Sequence, residues 1–203
     1  MRLQYALIVA ILLPFKGHAA PDTGAIYQLD PGRTQVRVHL GKSGLFGFMG
    51  DNHIIDVPIS EGTLVSDPSS NQPQSLKFTI QTGQVKVLDP DIADDNRVEV
   101  QNKMIGENVL DVLKYPTIQF SSTAFKKTKD ENTWRIPGKI TVKDQTVSIE
   151  ITAEINIEPS HFTAQGQAEL RLSHLGIKPP GAGAGTIKVK NLFKVEFESY
   201  GKK

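Results

Sequence analysis

From Tyr27 to Phe197 apolar and polar residues alternate along almost the whole chain, as strands do when one face is buried and the other is wet. The longest run sets Val147, Ile149, Ile151, Ala153, Ile155 and Ile157 against Ser148, Glu150, Thr152, Glu154, Asn156 and Glu158. After Pro159-Ser160-His161, Phe162, Ala164, Gly166, Ala168, Leu170 and Leu172 take up the same alternation, so the pair predicts a long antiparallel hairpin. Shorter runs with one apolar parity are Val36-Leu40, Leu76-Ile80, Ile118-Phe120, Trp134-Val142 and Ile187-Phe197. Pro31-Gly32 interrupts the first strand, and Gly83 interrupts another before Val85 and Val87 continue it. Ile54-Ile59 and Gly62-Val65 are strand-like, 67–73 and 126–132 read as loops, Asp144-Gln145 as a two-residue turn and 176–185 as a glycine-rich loop.

One stretch breaks the alternation. Residues 94–113 predict a helical insert: Asp94 or Asp95 suits a helix N-terminus, and Val98, Gln101, Met104 and Ile105 recur at three- and four-residue spacing. Gly106 is a stop signal, Val109, Leu110, Val112 and Leu113 suggest one more apolar turn, and Pro116 forces Tyr115 into extended geometry. The insert is expected to lie as a lid or plug against the sheet, with Val98, Ile105, Leu110 and Leu113 facing inward. Strands spaced this evenly favour a closed antiparallel up-and-down barrel of about eight strands, which leaves no open sheet edge. A packed β-sandwich is the alternative.

Composition narrows the functional classes. Arg2 followed by the apolar run Tyr5-Phe15 and by Gly17-His18-Ala19 reads as an export signal with cleavage after Ala19, which leaves one domain over 20–203 and a periplasmic or secreted location. The apolar run is shorter than the ~20 residues a membrane-spanning helix needs, so no integral span is expected after cleavage. Without residues 1–19 the chain carries 21 Lys and Arg against 22 Asp and Glu, a net charge of −1 that gives no case for binding nucleic acid or an anionic membrane. There is no cysteine, hence no disulfide, thiolate metal site or cysteine nucleophile.

Candidate chemistry is sparse. His39, His53, His161 and His174 are far apart and lack metal-ligand spacing. Asp51 and His53 follow the glycine-aromatic stretch 41–50 and define the alternative reading, a metal-dependent enzyme or metal sensor, beside the simpler one of a loop hydrogen bond. Asp89, Asp91, Asp94 and Asp95 lack the glycine and closing glutamate of a calcium loop, and Gly181-Gly185 leads into a strand where a phosphate cradle needs a helix. No cofactor is implied.

Several segments, in order, resemble the YceI-like proteins: Tyr27-Gln28-Leu29-Asp30, the run G-L-F-G-F-M-G at 44–50, Arg97 and Met104 in the helix, and Val109-Leu110-Asp111 leading to Tyr115-Pro116-Thr117-Ile118. Gly138-Lys139-Ile140-Thr141-Val142 and Leu175-Gly176-Ile177-Lys178-Pro179 continue the likeness, which spans essentially the whole chain after the signal. The resemblance implies an extended antiparallel lipocalin-like β-barrel that carries a polyisoprenoid or other long apolar chain in its lumen, without enzymatic chemistry. Where many members read G-H-x-H, this chain has Gly50-Asp51-Asn52-His53, which removes one histidine from any metal site. Where members often carry an H-G turn, it has Lys143-Asp144-Gln145-Thr146. The expected ligand-binding residues are Phe46, Phe48, Phe78, Ile118, Phe120, Trp134, Phe162, Ala164, Ala168 and Phe193, with the small residues Ala164 and Ala168 leaving room. Pairing into a homodimer stays open at this stage.

Overall fold

The computed structural model describes residues 24–43, 52–182 and 187–203. In chain order the elements are β1 (Ala25–Leu29), β2 (Gln35–Leu40), β3 (Lys42–Ser43), β4 (His53–Asp56), β5 (Ile59–Ser66), β6 (Pro73–Gln81), β7 (Lys86–Val87) and α1 (Asp94–Ile105). They continue with β8 (Thr117–Ser122), β9 (Lys126–Lys127), β10 (Thr133–Val142), β11 (Gln145–Ile157), β12 (His161–Arg171), β13 (Gly181–Ala182), β14 (Ile187–Val189) and β15 (Leu192–Lys202).

The strand order β1-β5-β6-β8-β10-β11-β12-β15 closes on itself because β15 also pairs with β1, through Gln28–Lys202 and Leu29–Gly201. All these pairings are antiparallel, so the molecule is a closed eight-stranded antiparallel barrel, with one α-helix among the described residues, and not a sandwich. Three of its staves are broken. β2 resumes the path of β1 along β15 after a 3-10 turn at Pro31–Arg33, β4 pairs with β2 as β5 pairs with β1, and β7 pairs with β4 as β6 pairs with β5. The breaks at Pro31-Gly32 and Gly83 are the ones expected from sequence; the break at Val57-Pro58, between β4 and β5, is a third. It follows from Pro58, which has no N–H to give to a ladder.

Inward and outward residues alternate as expected: along β10 Trp134, Ile136, Ile140 and Val142 are buried, while Arg135 and Lys139 are exposed. The β11–β12 hairpin is present in register, Ala153 opposite Gly166 and Ile157 opposite Phe162. The tight turn between β10 and β11 falls one residue earlier than expected. Val142 pairs with Gln145, so Lys143 and Asp144 form it, with Lys143 in the left-handed region at φ 55°.

The helical insert is shorter than 94–113. α1 ends at Ile105, Ala93 occupies the N-cap position, and 106–115 is a chain of turns that places Asp111 at φ 47°. Its inner face also differs. Val98 is 58 % exposed and Leu113 97 %, whereas Arg97, Val100, Gln101, Met104 and Ile105 form the half-buried stripe. Gln101 sets that rotation. Its Oε1 accepts from Val87 N–H at 2.8 Å and its Nε2 donates to Val85 O at 3.0 Å, so one amide satisfies the outer edge of β7. An unpaired strand edge is a site for unwanted pairing, and a helical side chain covers this one.

Candidate functional site

The barrel encloses a cavity of ≈ 230 Å³. Aliphatic residues from every stave line it, among them Val38, Ile55, Ile80, Ile140, Ile151 and Val195; among the described residues Ser199 is the one lining residue with a polar side chain. No ionisable side chain reaches it among the described residues. A water molecule needs two to four polar partners to settle in such a space, and this one offers a single hydroxyl. An interior of this kind suits hydrocarbon and gives acid–base chemistry nothing to work with.

One end of the barrel is shut by aromatic rings. Tyr27 and Phe162 meet edge to face at 6.0 Å, and the Tyr27 hydroxyl donates to Glu158 O at 2.9 Å. Phe125 and Trp134 meet at 6.2 Å beside them. The other end is covered by two chain segments. From α1 and the turns after it come Met104, Val109 and Leu110; from the 3-10 turn after β12 come Leu172 and Leu175, with Ile177 following. Asn191 anchors the second segment: its Oδ1 accepts from Ser173 N–H and its Nδ2 donates to Ser173 Oγ, both at 2.9 Å. Gly176, at φ 71°, turns the chain back so that Ile177 re-enters the cavity roof.

Three glycines keep the wall thin where rings lie against it. Phe162 crosses Gly201, Phe197 crosses Gly166 and Phe120 crosses Gly138, with ring atoms 2.2, 2.8 and 2.4 Å from where a Cβ would stand. Gly62 pairs directly with Phe78, whose ring stacks on Phe120 at 5.0 Å. Rings laid flat on glycine stay near the wall, and the centre of the barrel remains open.

Of the ten residues expected at the ligand, Phe78, Ile118, Phe162, Ala164, Ala168 and Phe193 line the cavity. Phe120 and Trp134 do not: both point inward and are buried, but Phe120 sits behind Phe78 and Trp134 belongs to the closed end. Phe46 and Phe48 lie outside the described residues, as does Asp51. Leu110 takes the inward place that the spacing predicts for it, whereas Met104, Leu172, Leu175 and Ile177 are roof residues beyond those expected. The visible signal for three of them was the apolar spacing Leu172, Leu175, Ile177 around a glycine just past a strand end.

His53 has a local partner. Its Nδ1 lies 2.6 Å from Asp89 Oδ2, and Asp89 Oδ1 accepts from Ile54 N–H at 2.7 Å, with the carboxylate 1 % exposed. Among the described residues no group of three His, Asp or Glu side chains could hold a metal. The carboxylates with displaced titration are all on the outer surface. Glu154 is held below its usual value by hydrogen bonds from Gln165 and Asn156, Glu196 by its bond to Lys194, and Glu99 by its bond to Lys103.

A family model described as the YceI-like domain matches residues 27–199. A UPF0312 protein of Pseudomonas savastanoi pv. phaseolicola is 28% identical over 171 residues, covering 81% of this chain and 78% of that protein. One of Pseudomonas syringae pv. tomato is 28% identical over 162 residues, covering 77% and 76%. Among solved structures, Burkholderia cenocepacia BcnA is similar with a TM-score of 0.64 at 16% identity, over 85% of this chain and 98% of that one. A Campylobacter jejuni YceI protein is similar at a TM-score of 0.53 and 15% identity, over 73% and 81%. At such identities the structural likeness carries the fold alone.

Proposed function

The chain belongs to the YceI-like family, and from that premise we propose that it is a non-enzymatic carrier of a long apolar molecule, an isoprenoid or other lipid chain, held in the barrel lumen. One observation carries the reading: a barrel cavity of ≈ 230 Å³ whose described lining is apolar except for Ser199. Apolar surface buried there gains about 25 cal/mol per Å² on leaving water, and the ligand needs no directed polar contact to be retained. Phe78, Ile118, Phe162, Ala164, Ala168 and Phe193 are the contacts we assign to it, with Met104, Leu110 and Leu175 closing over it. The chain acts outside the cytoplasm, periplasmic or secreted, after removal of residues 1–19. Nothing favours metal chemistry at His53: among the described residues no group of three His, Asp or Glu side chains could hold a metal there.

Organic extraction of the purified protein, with native mass spectrometry beside it, tests the proposal. The expected result is a bound apolar molecule near one per chain, lost on extraction. Protein that carries none, and takes up none from dispersed isoprenoid or fatty chains, would be evidence of an empty or solid barrel and would end the reading.

A further inference from the structure

The cavity roof is electrically lopsided. On the side of α1 the chain from Asp89 to Asp111 carries Asp89, Asp91, Asp94, Asp95, Glu99, Glu107 and Asp111 against Arg97 and Lys103. On the other side, Arg171 to Lys194 contains no carboxylate at all, while Arg171, His174, Lys178, Lys188, Lys190 and Lys194 are basic. These residues share one end of the barrel. Arg171 pairs with Leu192 where β12 ends and β15 begins, β14 pairs with β13 and β3, and Lys190 N–H bonds Gly41 O just past β2.

Arg171, Lys178, Lys188 and Lys190 are exposed, and none of the four is in an ion pair among the described residues. Leu192 beside Arg171 is 43 % exposed. Exposed cations around a protruding apolar side chain are what an anionic bilayer surface recognises: the cations sit at the head groups and the apolar group enters the interface. The acidic α1 side fixes the orientation, because it is repelled by the same surface. A chain as close to neutral as this one (+1 over all residues) owes such binding to its distribution of charge.

We infer that the lip formed by Arg171, Lys178, Lys188, Lys190 and Leu192 docks on an anionic lipid surface and brings the roofed end of the barrel against the bilayer. The inference goes beyond cargo binding and is read without it. Purified protein without residues 1–19 is floated with vesicles of phosphatidylcholine alone and with phosphatidylglycerol added, at increasing salt. Binding is expected only to the anionic vesicles and falls as salt rises. A basic residue near such a surface is worth about fivefold in binding. The triple variant Lys178→Glu, Lys188→Glu, Lys190→Glu should therefore lose about 100-fold or more, with an unchanged circular dichroism spectrum. Reversing Lys126, Lys202 and Lys203, exposed at the opposite end, should cost little. Equal affinity for neutral vesicles, no binding to either kind, an unaffected Lys178/Lys188/Lys190 variant, or equal loss from the opposite-end variant would each overturn the inference.

Discussion

Phe162 lies flat across Gly201, its partner on the neighbouring strand, so closely that a Cβ on Gly201 would stand 2.2 Å from the ring's Cε1 and 2.7 Å from Gln28 O. The ring both lines the cavity and, with Tyr27, shuts one end of it. Gly201→Ala must push the ring inward or part β1 from β15. The expected cost is about 1–3 kcal/mol, as for other overpacked cores, measured by urea denaturation. A variant as stable as the parent would show that the ring has freedom the structure does not give it.

Ala168 and Ala164 test whether the lumen is used. Both line the cavity, so a leucine side chain at either position projects into open space. Ala168→Leu should roughly halve the apolar material recovered per chain, or do worse, while the melting midpoint stays within about 3 °C, a shift that about 1 kcal/mol produces in a domain of this size. A fall of many degrees with cargo retained would mean that side chains already fill the space.

Gln101 provides a test of how the helix is held. Gln101→Leu removes both bonds to the β7 edge and leaves Val87 N–H without its partner. A cost of about 1–3 kcal/mol is expected, localised to this region. Hydrogen exchange should report it as faster exchange at Val87 and across 94–105, with the β11–β12 hairpin unchanged. Uniform acceleration over the barrel would contradict a local role.

The alternation made the barrel readable because parity decides which face a side chain takes, and parity is written in the sequence. Which of two inner-face neighbours reaches the cavity is not. Phe78 and Phe120 stand directly opposite each other on β6 and β8, yet only Phe78 borders the cavity, while the Phe120 ring lies over Gly138. The orientation of the helix escapes the pattern for a different reason. Spacing alone put Val98 inward, but the face presented to the sheet is chosen by Gln101 and its hydrogen bonds, together with Val100 and Met104. A polar residue that decides an orientation leaves no mark in a hydrophobic pattern.

Asp89 and His53 separate structural from metal chemistry. Asp89→Ala strips a buried acceptor from Ile54 N–H and from His53, and should destabilise the protein by about 1–3 kcal/mol. His53→Ala should leave the metal content, measured by inductively coupled plasma mass spectrometry, at the background of the parent. Stoichiometric metal in the parent that disappears with His53→Ala would revive the metal reading.

The three interruptions at Pro31–Arg33, Val57-Pro58 and Thr82–Gln84 fall on adjacent staves. A hydrogen-bonded wall resists shear only where its rungs run unbroken, so this flank is a crease. The five other staves run without such a break, so this flank is where the wall would yield first. For the apolar cargo proposed above, a container with one pliant side would fit contents of unequal girth, and selectivity would rest on how far that flank yields.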